Sequence, residues 1–206
     1  QARRSESMGQ IIKPYQILLY TSFSDLALEG LRVVASPIAC LNEATLKPFD
    51  LVAVSFHEIT LKERDALVEL CLVCSKNPLT SNTLLICLVP SRHRDLLSSL
   101  KNAGVDHIML LESLDSSLTR RLQLFAENRS VDYAIDRILG EVCPYITYIP
   151  ISRRREMLYC RAYRDRLVLG PHLLNLYCET RHHTECPYYK APKLAKAAHG
   201  KRAKLR

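Results

Sequence analysis

Four cysteines in the last third of the chain are the residues best suited to do chemistry. Cys143, Cys160, Cys178 and Cys186 follow the pattern C-x16-C-x17-C-x7-C, and a proline follows the first and the last of them. Residues 143–189 contain many arginines and tyrosines but few aliphatic side chains. Such a segment has too little apolar surface to fold alone and usually requires a staple. We see no secretion signal and expect a reducing compartment, where disulfides do not persist, so the predicted staple is a metal centre.

The spacing of these thiols indicates which metal they would bind. Zinc sites usually bring their ligands as closely spaced thiol pairs, and the four cysteines contain no such pair. Widely spaced cysteines followed by proline resemble four-cysteine iron–sulfur modules in general. We therefore expect a 4Fe–4S cluster, with zinc and a metal-free segment as alternatives. In the zinc alternative His182 is a further ligand, since Cys178, His182 and Cys186 recur every four residues and would share one helix face.

The net charge of +8 is unevenly distributed. Residues 13–127 contain 11 Lys and Arg against 13 Asp and Glu, whereas residues 143–206 contain 14 against 4. A strongly basic last third predicts an acidic partner, with nucleic acid first and an acidic protein surface second. A solvated charged face is the alternative. The candidate phosphate-binding residues are Arg153, Arg154, Arg155, Arg161, Arg164, Arg166, Lys193, Lys196, Lys201, Arg202, Lys204 and Arg206.

The preceding part of the chain alternates between strand and helix patterns. Residues 51–54 and 83–89 are continuous apolar runs typical of strands buried on both faces, and residues 61–73 between them have apolar side chains at helical spacing. The pattern predicts an α/β fold: a flavodoxin-like, doubly wound, parallel five-stranded sheet, followed by a small metal-stabilised module. The segment between the first and third predicted strands is short, so we expect the first helix or the second strand to be reduced.

Two stretches carry a resemblance to the receiver domains of response regulators. Residues 49–55, Phe-Asp-Leu-Val-Ala-Val-Ser, resemble the third receiver strand. Residues 100–111, with the Ala103-Gly104-Val105-Asp106 turn, resemble the end of the fourth helix and the fifth strand. The resemblance covers residues 14–127. It implies a regulatory domain that contacts a protein partner or a second copy of itself.

The chemistry of receivers does not carry over with the resemblance. A receiver has a phosphate-accepting aspartate at the end of its third strand, where this chain has Ser55, and an acidic magnesium pair after its first strand, where it has Thr21 and Ser22. The hydroxyl residue after the fourth strand and the lysine after the fifth are replaced at 89–90 and 110–112. Magnesium requires carboxylate oxygens, and phosphoryl transfer requires charge neutralisation. We predict a pseudo-receiver that is not phosphorylated on aspartate.

Four further cysteines, Cys40, Cys71, Cys74 and Cys87, stand among apolar residues of the receiver-like part. The pair at 71 and 74 has the two-residue spacing of redox and zinc motifs, but it lies within a helical apolar pattern without a flanking glycine or proline. We interpret all four as small core residues, with metal or redox chemistry at the pair as the alternative.

The predicted organisation has five parts. They are an N-terminal extension (1–12), a receiver-like domain (13–127), a connecting helix (128–142), a cysteine module (143–189) and a basic tail (190–206). We interpret Met8 as a native start, with residues 1–7 a tag or vector sequence. No apolar run approaches a membrane span, so we expect a cytoplasmic protein without membrane contact.

Two functional hypotheses follow. The first is a non-phosphorylatable receiver-like regulator whose cluster module binds nucleic acid. The alternative is a non-catalytic interaction subunit of a larger redox or signalling assembly, docked through the receiver-like domain. The sequence has no phosphate-binding glycine loop, no nucleophile elbow and no His-Glu-x-x-His motif. We therefore do not expect an enzyme, and electron transfer by a cluster is the one enzymatic role left open.

Overall fold

A parallel five-stranded sheet is the centre of the receiver-like domain. The computed structural model describes residues 15–23, 28–128, 131–163 and 167–193. Within this part the sheet strands are β1 (Ile17–Tyr20), β2 (Arg32–Val34), β3 (Leu51–Ser55), β4 (Leu84–Val89) and β5 (His107–Leu110). Their order is β2-β1-β3-β4-β5 and every neighbouring pair is parallel. The prediction of a doubly wound α/β sheet is confirmed.

Helices cover both faces of this sheet. They are α1 (Pro37–Leu46), α2 (Leu61–Lys76), α3 (Arg94–Asn102), α4 (Leu118–Asn128) and α5 (Ile135–Gly140). On one face, buried side chains of α1, α2, α3 and α5 form a single apolar core with the sheet. On the other face α4 contributes Leu118, Leu122 and Phe125 to a second core. Strands such as β3 are apolar throughout because the side chains on one face belong to one core and those on the other face belong to the second core.

The beginnings of the helices follow from local side chains. Before α2, the Thr60 hydroxyl accepts the Glu63 N–H at 3.2 Å and the Glu63 carboxylate accepts the Thr60 N–H at 2.6 Å. This reciprocal cap satisfies two backbone donors that a helix start leaves free. Before α3, His93 Nδ1 accepts the Leu96 N–H at 3.1 Å. A histidine therefore fixes the start of the helix that faces the cysteine module.

The first edge of the domain is reduced, as the short segment predicts. Strand β2 has only three residues. Residues 28–31 form a turn in which the Leu31 N–H donates to the Leu28 carbonyl at 3.2 Å, and residues 24–27 lie outside the described part.

The connecting segment differs from the prediction of one helix over residues 128–142. It contains a single 3-10 turn, Val131–Tyr133, and then the six-residue α5. Between them Ala134 is extended and forms an isolated bridge with His107 at the edge of the sheet. The N–H of Ile135 donates to the Asp106 carbonyl at 2.9 Å. These bonds to β5 and its turn replace helical bonds, so helix propensity yields to tertiary pairing.

The cysteine module contains a small antiparallel sheet followed by short helices. The strands are β6 (Ile146–Pro150), β7 (Glu156–Cys160) and β8 (Leu167–Val168), in the order β6-β7-β8. They are followed by α6 (Pro171–Leu173) with a π-helical turn at Leu174–Cys178, a 3-10 turn at Arg181–Glu185, and α7 (Pro187–Lys190). No helix among the described residues is both long and apolar enough to cross a bilayer.

One face of the small sheet packs onto the receiver-like domain. Ile146, Tyr148 and Cys160 belong to the same apolar core as Leu67 and Leu97. The two parts of the chain therefore share a continuous core instead of meeting through a linker.

Candidate metal centre

The four cysteines of the C-terminal pattern line one pocket. Cys143 follows α5, Cys160 ends β7, Cys178 ends the π-helical turn and Cys186 precedes α7, and all four are buried and free. The remaining walls are aromatic or apolar: Tyr145, Ala162, Leu169, Leu173, Tyr177, Tyr188 and Tyr189. The fold thus brings together, from four separate segments, the thiols that the sequence grouped by pattern.

Backbone hydrogen bonds hold these segments in place around the pocket. The N–H of Cys143 donates to the carbonyl of Cys178 at 2.8 Å. Beyond α7 the chain returns, and the N–H of Lys193 donates to the carbonyl of Ala162 at 2.7 Å, two residues after Cys160. The positions of the thiols therefore depend on main-chain bonds between segments as well as on apolar packing.

Burial dominates the electrostatics of these thiols. It raises the pKa of Cys143 and Cys160, and it raises the pKa of Cys178 to about 12, with the neighbouring thiols adding to the effect. Such thiols stay protonated at neutral pH as long as no positive charge enters the pocket. A bound metal supplies that charge, and coordinating thiols then lose their protons.

Backbone N–H groups point at two of the sulfurs and favour their ionised form. For Cys143 the donors are the N–H groups of Tyr145 and Ile146, which act against burial and lower the thiol pKa. The two equivalent positions after Cys160 make the same contact with its sulfur. Hydrogen bonds of this kind to thiolates are among the groups that tune iron–sulfur centres. Cys143 and Cys160 therefore lie in matching turns that stabilise a thiolate.

The thiols line one pocket without meeting at a single point. In the part of the chain that the structure describes, no group of three or more His, Cys, Asp or Glu side chains is placed to hold one metal ion. The four sulfurs therefore line one small pocket and are not placed around a single metal ion.

The two adjacent histidines have different surroundings. His182, the predicted alternative ligand, is 53% exposed, and its Nδ1 lies 3.1 Å from a carboxylate oxygen of Glu185. It is not among the pocket-lining residues. His183 is buried, donates from Nδ1 to the Thr180 carbonyl at 2.9 Å and packs edge-on against Tyr189. The structure thus places His183, and not His182, against the pocket wall.

A charged network joins the cysteine module to the receiver-like domain. Because His93 Nδ1 accepts a backbone N–H, its Nε2 carries the proton and donates to Glu156 at 2.8 Å. Arg64 of α2 donates to the same carboxylate oxygen at 3.0 Å. The imidazole stacks on Tyr148 with ring centroids 3.6 Å apart. Glu156 begins the strand that Cys160 ends, so β7 links this network directly to the pocket.

The groups of this network have shifted pKa values. Burial lowers the pKa of His93, and the neighbouring Glu156 opposes this only in part. Burial alone would raise the pKa of Glu156, but the hydrogen bonds from Arg64 and His93 bring it below its usual value. At neutral pH the network is therefore a neutral imidazole with a carboxylate paired to arginine.

The carboxyl edge of the large sheet contains a buried polar cluster in place of receiver chemistry. Ser55 is fully buried, and its hydroxyl lies 3.0 Å from Nδ1 of His57. The opposite nitrogen, Nε2, donates to the carbonyl of Leu111 at 2.8 Å, which assigns the proton to Nε2. Ser22 donates to the His57 carbonyl at 3.1 Å, and Thr21 beside it is buried. Ser55 and His57 thus bond to each other, and Ser22 and His57 also bond to backbone carbonyls, so these polar groups are paired within the edge.

Sequence reasoning missed His57, whose only signal was its place two residues after Ser55. Next to it Glu58 has a φ of +52°, a conformation that is strained for a residue with a side chain. The loop is thus shaped around the Ser55–His57 contact.

The predicted phosphate-binding residues do not form one patch. Arg153, Arg154 and Arg155 are exposed in the β6–β7 hairpin, while Arg161 is exposed at the other end of β7. A five-residue strand separates the groups by roughly 17 Å. Lys193 is exposed beside the Cys160 turn. The remaining candidates lie outside the described residues: Arg164, Arg166, Lys196, Lys201, Arg202, Lys204 and Arg206.

Comparison with solved structures finds similar receiver domains. The chain is similar to the BeF3-activated receiver domain of DrrB, with 15% identity and a TM-score of 0.43 over 56% of this chain and 100% of that one. It is also similar to the isolated receiver domain of RcsB from Salmonella enterica serovar Typhimurium, with 11% identity and a TM-score of 0.42 over 56% of this chain and 91% of that one. No family model and no curated protein matches. The fold class therefore rests on the strand order and helices described above.

Proposed function

We propose that this chain is a receiver-like regulatory protein whose four C-terminal cysteines hold a 4Fe–4S cluster and whose basic end binds nucleic acid. The observation that carries the proposal is the convergence of Cys143, Cys160, Cys178 and Cys186 on one pocket with aromatic and apolar walls. These four buried thiols come from four separate segments and line the same pocket, an arrangement that suits the ligands of one metal centre. The protein has no catalytic role in this proposal.

The arrangement of the sulfurs favours a cluster over a zinc ion. A structural zinc ion requires four ligands within about 2.3 Å of one point, and the described side chains offer no such group of three. A cluster spreads its thiolates over several iron atoms, so it does not require all four sulfurs within bonding distance of one point. The N–H donors at Cys143 and Cys160 support thiolates in either case.

The receiver-like domain acts in this proposal as a structural partner that is not switched by phosphate. Ser55 stands where a phosphate acceptor would stand, and its hydroxyl is already bonded to His57. The α2 and α3 side of the domain carries the network to Glu156 and, through β7, to Cys160. The state of the cluster would therefore reach the receiver-like domain through one strand.

Anaerobic purification tests the cluster directly. We expect a brown protein with broad visible absorption and about four iron and four sulfide per chain. A colourless protein with one zinc per chain would replace the cluster by the zinc alternative. A colourless protein free of both metals would overturn the metal centre itself.

The nucleic-acid part of the proposal rests on the basic end of the chain. The N–H of Lys193 donates to the carbonyl of Ala162, next to the exposed Arg161. Residues 194–206, which follow Lys193 in sequence, contain five lysines and arginines without an acidic residue. This concentration of positive charge in a short stretch of sequence favours phosphate contacts.

A salt titration with a labelled DNA duplex and an RNA strand tests this part. Removing residues 194–206 keeps the Lys193 bond and should flatten the dependence of log affinity on log salt, by about 0.9 for each duplex phosphate that the tail would otherwise neutralise. The matched control is Lys62→Gln with Lys76→Gln on exposed positions of α2, which should leave the salt dependence unchanged. If neither DNA nor RNA binds at low salt, the result would favour the alternative function, a non-catalytic interaction subunit of a larger redox or signalling assembly.

A further inference from the structure

The small sheet has an outer face that points away from the shared core. Side chains alternate along β6 and β7, and Ile146, Tyr148 and Cys160 point inward. The opposite positions form cross-strand pairs: Ile149 with Met157, and Tyr159 with both Thr147 and Val168. We call Thr147, Ile149, Met157, Tyr159 and Val168 the outer sheet face.

This face is mostly apolar, with Met157 and Val168 exposed and Thr147, Ile149 and Tyr159 half-buried. Met157 is 37% exposed and Val168 is 59% exposed, and Ile151 at the end of β6 is 62% exposed. Because strand neighbours lie about 5 Å apart, these side chains form one continuous surface. A continuous apolar surface on a folded domain marks an interaction site more often than scattered single residues do.

Arginines border the outer sheet face at both ends. Arg153, Arg154 and Arg155 lie in the hairpin before β7, and Arg161 directly follows β7. None of the four forms an ion pair with another described residue. The hairpin is fixed to the receiver-like domain, since the Leu61 N–H donates to the Arg153 carbonyl at 2.9 Å. The charges are thus held in place next to an apolar centre.

We propose that the outer sheet face docks an acidic, amphipathic segment of a partner protein. Aliphatic side chains at the centre would contact apolar residues of the segment, while the arginines at the two ends would pair with its carboxylates. This goes beyond the proposed function and does not depend on the cluster being iron–sulfur.

Charge argues against the other occupants. The two ends of this chain, which lie outside the described residues, are themselves basic. One end has Arg3, Arg4 and Lys13 against Glu6, and at the other end every residue with a full charge is a lysine or an arginine. A second copy would bring a like-charged border against the first. Nucleic acid would pair with the arginines but would leave Met157 and Val168 without an apolar partner, and the face has a single aromatic side chain, Tyr159, where stacking on bases uses several.

Fluorescence anisotropy with the full-length, anaerobically purified protein tests the proposal. The probe is a labelled peptide of about four helical turns with glutamate on one face and leucine on the other, and the control is its scrambled sequence. We expect the amphipathic peptide to bind, and Met157→Asp with Val168→Asp to weaken binding about tenfold or more. Changing the three hairpin arginines to alanine should weaken it about threefold and reduce its salt dependence.

Matched control variants test whether a loss of peptide binding is specific to the outer sheet face or follows from any change of an exposed apolar residue. Ile38→Asp with Leu46→Asp changes two apolar residues on α1 that are more exposed than Met157 and Val168, and it should leave binding unchanged. If the double aspartate variant misfolds, Met157→Ser with Val168→Thr gives a milder test in the same direction. Equal binding of the scrambled peptide, or unchanged binding by the surface variants, would overturn the proposal. It would also be overturned if those variants weakened DNA or RNA binding instead, or dissociated a dimer of the wild-type protein.

Discussion

Each of the two parts of this protein buries four cysteines, and the four of the cysteine module line one common pocket. Cys40, Cys71, Cys74 and Cys87 belong to α1, α2 and β4, inside regular structure whose backbone N–H groups are used by the helix or the sheet. Burial raises the pKa of Cys40 to about 12 and that of Cys74 to about 11, much as it does for Cys178. Thiol burial and acidity therefore do not separate the sets. Cys143 and Cys160 differ from the other set in their turns, because two N–H groups of the residues that follow point at each sulfur.

Removing single cysteines is the most direct way to break this comparison. We expect Cys→Ser at 143, 160, 178 or 186 to remove most of the metal and to unfold the cysteine module, because binding free energy at such sites is folding free energy. Metal analysis and circular dichroism of the four single variants measure both effects.

The control for this prediction is a cysteine of the other set. Cys40→Ala should lose about 1 kcal/mol of stability through a small core cavity and should retain the full metal content. Equal metal loss in variants of the two sets would remove the distinction between a metal-binding and a packing quartet.

The polar cluster at the carboxyl edge provides a second test of this comparison, because a change in the receiver-like domain should alter stability and leave the metal content unchanged. His57→Ala removes the partner of the buried Ser55 hydroxyl and of the Leu111 carbonyl. We expect a loss of about 1–3 kcal/mol in the free energy of unfolding, with unchanged metal content. Denaturant unfolding combined with metal analysis checks both points, and a loss of metal equal to that in the ligand variants would contradict a purely structural role.

The fold was far more predictable from the sequence than the details of the site. Short continuous apolar runs such as residues 51–54, bounded by polar residues and separated by helical patterns, favour buried strands, and short right-handed connections leave few strand orders. The small antiparallel sheet was not predicted. Its side chains alternate between two faces, with Ile146 and Tyr148 on one and Thr147 and Ile149 on the other, but the interpretation of that segment rested on its cysteines and arginines. The network between the two parts could not be predicted, since it joins Arg64, His93 and Glu156 across large separations in sequence.

The joint between the two parts should respond to pH through His93. Burial lowers its pKa in the folded protein, so the unfolded chain takes up a proton first as pH falls below the ordinary histidine value of 6.5. Stability from this group is complete above that pH and declines below it, by at most about 1.4 kcal/mol per pH unit. The lowered pKa of Glu156 acts in the same direction, but below its ordinary value of 4.5.

Chemical unfolding at about pH 7.5 and about pH 5.5 measures the contribution of His93. His93→Asn keeps an acceptor for the α3 cap and does not titrate, so its stability should change less than that of the wild type. His172→Asn, at an exposed position, should keep the wild-type response. An identical pH response in both variants would show that His93 does not set the slope.

The smallest expected effect is the absence of phosphorylation in the receiver-like domain. Incubation with acetyl phosphate and Mg²⁺ should leave the mass of the protein unchanged, because Ser55 is fully buried and is bonded to His57, while Thr21 and Ser22 supply no carboxylate for the metal. The Ser55→Asp variant should stay unmodified as well, since an acceptor without a magnesium site cannot neutralise the charge of the transferred group. An acid-labile phosphate adduct on the wild-type protein would mean that the carboxyl edge opens and retains chemistry. The contrast between an edge closed on itself and a pocket of convergent thiols would then no longer hold.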